Sequence, residues 1–370
     1  MRRETLRSAN FRVFLTPHPL PHPLPLAFLL TALVLLFALA GCTKEAPVYH
    51  EQSFVFGTMV DVTIAGEEPA RARELASKVL ADFDYLHRTL HAWEPGALSR
   101  MNAVFAQSPS KVAVVPGLVP IIQDATRLSE MSGGLFNPAI GKLIKLWGFQ
   151  GDEFTPQQPD PKEIKALIQA NPRMTDIVFE GILFYSKNPA VQLDLGGYAK
   201  GYALDLAAEY LRTQGVKGAL INIGGNIIAI GSRGGQPWRV GVQHPRKAGA
   251  IASLELHDGE AIGTSGDYQR YFEFDGKRYC HIIDPRTGYP TQGVQAVTVL
   301  IPKGNNAGTL SDVASKPAFI AGVKGWRKAA QAMGAESTML IDERGEVYLT
   351  AAMNKRLEFQ EKGLVFHEVP

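Results

Sequence analysis

A short apolar run, Val191 to Leu195, leads straight into Gly196-Gly197 and then into a helical pattern from Tyr198 to Thr213. A strand, a glycine turn and a helix start in direct succession leave the backbone few options. The turn must be tight, and the helix must begin where the strand ends. Such a junction is also a ready anion site, because a helix start offers free N–H groups and a partial positive charge. Glycine lets a ligand approach the backbone where a Cβ would stand in the way. Asp194 closes the strand, and Lys200 lies one turn into the helix with a full charge to add. The spacing is not that of a Walker loop or of GxGxxG. The residues alone leave open whether the turn binds a ligand or only packs.

The amino-terminal segment carries Arg2, Arg3, Arg7 and Arg12 against the single acid Glu4, and Leu26 to Ala40 is apolar apart from Thr31. That run is too short to span a bilayer comfortably, which takes about 20 residues. A basic region before an apolar core reads as an export signal. Leu39-Ala40-Gly41-Cys42 matches the bacterial lipobox, in which the cysteine becomes the first mature residue and carries lipid. The expected organisation is a signal peptide over 1–41, a lipidated tether over 42–50 and one functional domain over 51–370. The expected location is the bacterial cell envelope, lipid-anchored through Cys42 and facing the periplasm. Thr43 in place of an acid after the cysteine leans towards the outer membrane. Cys42 and Cys280 are the only cysteines, so acylation of the first rules out an internal disulfide and stability must come from the core. A formal charge of +2 argues against a nucleic-acid surface.

Phe54 to Ile64 alternates as one half-buried strand, with Gly57 as a bulge or close approach. From 68 to 91, the stripe Ala72, Leu75, Val79, Leu80, Phe83, Leu86 and Leu90 predicts an amphipathic helix. Val119 to Met131 predicts another, stopped by Gly133-Gly134, and Pro161 to Ala170 a short third with proline at its start. Hairpins are expected over 177–185, over 271–281 across Asp275-Gly276, and over 338–349. Strands are expected at Val191–Leu195, Ala219–Ile223, Trp238–Val242, Ser253–Leu256 and Val294–Ile301, with an exit strand carrying His281 to Pro290. Gly263 to Asp267 reads as a polar loop, and Ser311 to Val323 includes a helix. Mixed elements without a fixed repeat give an α+β fold: a mixed, largely antiparallel sheet flanked by helices.

The polar loops carry the candidate chemistry. Acids beside glycine turns suit Mg²⁺, which takes oxygen ligands and phosphate oxygens. His281 suits proton transfer, and Asp284-Pro285-Arg286-Thr287-Gly288 equally suits a well-built turn. Ser99 and Asn102 also suit the capping of a helical turn.

Taken together, these segments resemble the FAD:protein FMN transferase family. The matching residues are Gly57-Thr58-Met59, Leu98 to Asn102, Phe136-Asn137-Pro138, Leu146 to Phe149, Asp194 to Gly201, Asn222 to Asn226, Thr264-Ser265-Gly266, His281 to Gly288 and Ser311-Asp312, over roughly residues 50 to 350. The resemblance implies FAD as substrate in a cleft between two interleaved lobes, with Mg²⁺. FMN would pass to a threonine of an exported or membrane redox protein, releasing AMP. It implies flavin-nucleotide contacts from Met59, Trp93, Ser99, Asn102, Leu135, Phe136, Asn137, Asp194, Lys200 and Ile282. His281 would be the base and Asp284 its catalytic companion. Metal ligation would fall to Gly197, Asp312, Ser315 and the position of Lys316, where the family usually has threonine. A charged lysine cannot ligate Mg²⁺. It can stand against the diphosphate, or pair with Asp312 at i,i+4 if the segment is helical, which Pro317 argues against. Two further readings stay open: an FAD pyrophosphatase giving FMN and AMP, and a flavin-binding lipoprotein without turnover.

Overall fold

The computed structural model describes residues 47–369, with 108, 114, 152 and 155 excepted. Residues 1–46, which hold the expected signal segment, Cys42 and most of the tether, lie outside the described residues. Phe56 and Gly57 both take left-handed backbone, with φ 57° and 67°, and join β1 (Val48–Val55) to β2 (Thr58–Ala65). Positive φ at both central residues is the type I′ turn, whose twist suits a two-residue hairpin. The one strand expected over 54–64 is therefore two. The turn breaks the alternation: Val60, Val62 and Ile64 are buried, whereas Phe54 is 65% exposed. β1 also begins inside the stretch expected as tether, because Val48 to His50 pair with Thr63 to Ala65.

Seven more strands complete the main sheet: β3 (Gly218–Ile223), β4 (Asn226–Gly231), β5 (Ala261–Gly266), β6 (Val294–Ile301), β7 (Ser337–Asp342), β8 (Val347–Thr350) and β9 (Phe366–Val369). They lie side by side in this order, each antiparallel to the next except the parallel pair β8 and β9. The expected α+β architecture, largely antiparallel with one mixed edge, holds. Every residue of β6 is buried, the mark of a strand covered on both faces. On one face, Val62, Ile221, Val297 and Val299 meet the helices. On the other, Ala229, Ile262 and Leu300 meet a smaller sheet built from Trp238–Gln243, Ala250–Leu256 and Glu358–Phe359.

The helices are α1 (Pro69–Leu90), α2 (Ala97–Phe105), α3 (Leu118–Met131), α4 (Gly141–Leu146), α5 (Pro161–Ala170), α6 (Ala199–Thr213), α7 (Ala307–Ala332) and the single turn α8 (Ala351–Asn354). All seven residues of the α1 stripe are buried. α7 continues through Pro317 and breaks only at Gly322, where φ is 63° and ψ −175°. A proline inside a helix loses one backbone hydrogen bond. Here burial of Val313, Ala314, Ala318 and Phe319 around it holds the helix together. α7 lies directly on β5. A Cβ on Gly263 would stand 2.2 Å from the Ser311 carbonyl oxygen, so only glycine allows the contact. The expected loop over 263–267 is for this reason a buried central strand up to Gly266. Among the described residues, no helix is long and apolar enough to cross a membrane.

Two expected strands are instead extended or turning segments. Val191 to Leu195 makes one parallel bridge, Gln192 with Ile140, and the segment after His281 makes one, Ile283 with Pro290. Each is held by a few backbone hydrogen bonds, Gln192 and Asp194 to residues 138–141 and Ile282 and Asp284 to residues 289–291, rather than by a full ladder. A third apolar cluster fixes the second of them: Trp147 stacks on Tyr279, Tyr279 on Phe272 and Phe272 on Phe149. Trp147 Nε1 donates to the Gly288 carbonyl at 2.8 Å.

Candidate active site

A cleft of about 800 Å³ opens where segments from all three apolar clusters meet. That volume lies in the upper part of the ~300–1,000 Å³ range of small-molecule sites. Met59, Trp93, Leu135, Phe136, Asn137, Asp194, Gly197, Lys200, His281, Ile282, Asp312 and Lys316 line it. Stretches of chain distant in sequence, from Phe54 to Ile320, interleave around the cleft.

Four expected site residues do not line it, and each has a local task. Ser99 Oγ accepts from the Gly96 N–H at 2.9 Å and closes the first turn of α2. Buried Asn102 holds Leu193 from both sides: its Nδ2 donates to the Leu193 carbonyl at 2.8 Å, and its Oδ1 accepts from the Leu193 N–H at 2.7 Å. Asn102 thus plays the part of a missing neighbouring strand and positions Asp194. Asp284 takes the Arg286 N–H at 2.9 Å and the Arg286 guanidinium at 2.7 Å, so it builds its own turn. Ser315 Oγ donates to the Asp312 carbonyl at 2.9 Å and meets Ser265 Oγ at 2.7 Å.

The start of α6 differs from the open anion site its sequence suggests. The Gly196 N–H donates to Asp194 Oδ1 at 2.8 Å, the Tyr198 and Ala199 N–H groups to the Leu195 carbonyl, and the Gly201 N–H to Asp312 Oδ2 at 3.0 Å. Carboxylates of the chain itself answer the turn. The other oxygen of Asp194, Oδ2, accepts from Trp93 Nε1 at 3.1 Å. Gly197 has a different reason to be glycine. A Cβ there would lie 2.8 Å from Lys316 Cε, so the lysine stem passes directly under the turn.

Lys316 Nζ donates to Asp312 Oδ1 at 2.5 Å and to the Asp312 carbonyl at 2.6 Å. The i,i+4 pairing is the helical one, and Asp312 is 1% exposed. Mg²⁺ needs oxygen ligands at ~2.0–2.1 Å in octahedral array. The oxygens Asp312 would offer already hold an ammonium. Among the described residues, no group of three or more His, Cys, Asp or Glu side chains is placed to hold a metal. The donor set does not fit a resident divalent cation.

Three cations, Lys200, Arg270 and Lys316, line the cleft together with the acids Asp61, Glu94, Asp194 and Asp312. Burial pushes Lys200 below the usual lysine range, Asp312 pulls it back up, and Lys316 and Arg270 push it further down. His281 is pushed down to about 3, first by burial and then by Arg270, Lys200 and Lys316. The imidazole is therefore neutral at physiological pH. Its Nδ1 lies 3.2 Å from the Arg270 carbonyl, which can only accept, so Nδ1 carries the proton and Nε2 the lone pair. Cys280 next to it is no nucleophile, because burial pushes its thiol up to about 12.

Arg270 is the residue that sequence reasoning missed. It lines the cleft, its Nη2 donates to the Phe149 and Gly151 carbonyls, and its Nε is buried without a hydrogen-bond partner. A signal for it existed. The Asp275-Gly276 turn pairs Tyr271 with Cys280, which sets Arg270 opposite His281.

With this geometry in view, the family model for ApbE matches residues 56–340, most of the chain. The chain belongs to the ApbE family. A curated relative from Rhodobacter capsulatus named FAD:protein FMN transferase is 40% identical over 337 residues, covering 90% of this chain. The chain spans 63% of that relative's length. A relative of the same name from Vibrio cholerae is 34% identical over 278 residues, covering 73% of this chain and 82% of the relative. The crystal structure of the ApbE protein from Thermotoga maritima aligns with a TM-score of 0.76 at 30% identity, covering 85% of this chain and all of that one. The ApbE match takes in every cleft residue from Met59 to Lys316.

Proposed function

We propose that this chain is an FAD:protein FMN transferase, the name its relatives from Rhodobacter capsulatus and Vibrio cholerae carry. The observation that carries the reading is one cleft holding three cations, Lys200, Arg270 and Lys316, beside a neutral histidine. A dinucleotide diphosphate needs that positive charge. A hydroxyl acceptor needs a base that is unprotonated before it arrives. The hydroxyl oxygen of an acceptor threonine attacks the phosphorus of the FMN half. The bond from that phosphorus to the bridging oxygen breaks, and AMP leaves with the oxygen. The hydroxyl proton passes to His281 Nε2. Phosphoryl transfer draws mainly on positioning and charge neutralisation. Here the cations neutralise, and the incoming phosphates in turn favour protonation of both Lys200 and His281. Apolar Leu135, Phe136 and Ile282 suit the flavin ring. The Mg²⁺ suggested by the resemblance is given no step, because Asp312 is engaged by Lys316.

The export signal and lipobox at Cys42 support a lipid-anchored enzyme facing the periplasm, acting on exported or membrane redox proteins. Cys42→Ser should release the protein from the membrane fraction. The reaction is tested by incubating the purified protein with FAD and a threonine-bearing acceptor domain, following AMP and acceptor mass. A mass gain equal to FMN with matching AMP is expected. AMP without any gain in mass would establish a pyrophosphatase instead. Bound FAD with no AMP would establish a binder.

A further inference from the structure

The cationic cluster has an unusual member. Lys316 is anchored on a buried carboxylate and on the carbonyl of the same residue, and its stem is trapped under Gly197. Its side chain keeps 17% exposure and reaches the cleft. Two of the three ammonium hydrogens are spoken for by Asp312, which leaves one for a ligand. Lys200, Arg270 and Lys316 all act electrostatically on His281, and the buried Nε–H of Arg270 lacks a partner.

From this arrangement we infer that Lys316, seated on Asp312, is a built-in counter-charge for the diphosphate, so that this chain binds FAD without a divalent cation. Asp312 Oδ1 and the Asp312 carbonyl, oxygens of the kind a divalent cation takes, are held by a side chain of the protein itself. An ammonium there costs no capture from solution and cannot be chelated. It also sets the role of Asp312, which orients the lysine through Oδ1 while Oδ2 ties it to the start of α6 at Gly201. Substitution of Lys316 would free Asp312 Oδ1 and leave the Asp312 carbonyl to the Ser315 hydroxyl. A threonine would add a hydroxyl oxygen beside them and build the beginnings of an oxygen site for Mg²⁺.

The inference rests on the FAD reading above, and the test separates the two. FAD binding is followed by quenching of flavin fluorescence, in EDTA and in millimolar Mg²⁺, for the wild type, Lys316→Met and Lys316→Thr, with far-UV circular dichroism confirming the fold. The wild type should bind equally well in both buffers. In EDTA both variants should bind about 10- to 100-fold more weakly, the loss of one charge-assisted contact. Mg²⁺ should restore binding to Lys316→Thr and not to Lys316→Met. A wild type that binds FAD only with Mg²⁺ overturns the inference and leaves the FAD reading intact. A Lys316→Met variant as tight as wild type in EDTA does the same. No FAD binding by the wild type in either buffer removes the FAD reading and the inference together.

Discussion

Replacing Asn102 with alanine tests how Asp194 is brought to the cleft. Asn102 is 7% exposed and makes two hydrogen bonds, 2.8 and 2.7 Å, to the carbonyl and N–H of Leu193. Alanine would leave both backbone groups buried and unpaired, and each such group costs about 1–3 kcal/mol. The expected loss is about 2–6 kcal/mol, large against a total stability of about 5–15 kcal/mol. Asn102→Asp separates geometry from volume. It keeps an acceptor for the Leu193 N–H but turns an oxygen towards the Leu193 carbonyl, so it should cost at least as much. Urea unfolding of the purified protein, followed by far-UV circular dichroism, gives the free energies, and flavin fluorescence gives FAD affinity in parallel. Both should fall in Asn102→Ala, because Leu193 immediately precedes Asp194. A stability change below about 0.5 kcal/mol would refute the clamp. Weaker FAD binding at unchanged stability would make Asn102 a ligand contact instead.

The depressed pKa of His281 predicts that the acid limb of kcat/KM for FAD, which reports the free enzyme, falls near pH 3, outside the working range, rather than at 6–7. An acid limb at pH 6–7 that disappears in His281→Gln would contradict it. Burial raises Asp205 to about 6 although it accepts from the Gly308 and Thr309 N–H groups and the Thr309 hydroxyl at the start of α7. Its folded pKa lies above the ordinary 3.8, so its contribution to stability is complete below about pH 4 and is lost as pH rises through 6. Relative to Asp205→Asn, the wild type should lose about 3 kcal/mol between pH 4 and 7 in urea titrations, and parallel curves would refute the assignment. Gly263→Ala should lower the urea midpoint, at a cost of about 1–3 kcal/mol, because the methyl must push β5 off α7. An unchanged midpoint would show that α7 yields freely.

Local signals read from the chain survive folding wherever the deciding contacts are local. The α1 stripe, α5 with Pro161 at its start, β6 from Val294 to Ile301, and the Asp275-Gly276 hairpin stand where pattern and turn chemistry place them. The misread segments share a cause. Gly263 looks like a loop residue because its use, contact with the Ser311 carbonyl, lies 48 positions away on α7. Val191 to Leu195 looks like a strand, but it pairs on one side with the turn at 138–141 and on the other, at Leu193, with the side chain of Asn102, 91 positions back. Val48 to His50 look like linker because β1 finds its partner only across the Phe56-Gly57 turn.

The cleft divides in the same way. Sequence alone determined the family resemblance, the α+β class, and the residue types that matter at Asp194, Lys200, His281, Asp312 and Lys316, since each sits in a short motif whose chemistry is carried by residue identity. Only the tertiary structure decided what those groups are doing. It engaged the N–H groups at the start of α6 with Asp194 and Asp312, turned Ser99, Asn102 and Asp284 into supports, brought Arg270 to the cleft beside His281, and seated the Lys316 ammonium on Asp312. Hydrogen bonds and electrostatic shifts depend on distance in space and on exclusion of water, and neither is encoded at any single position of the chain.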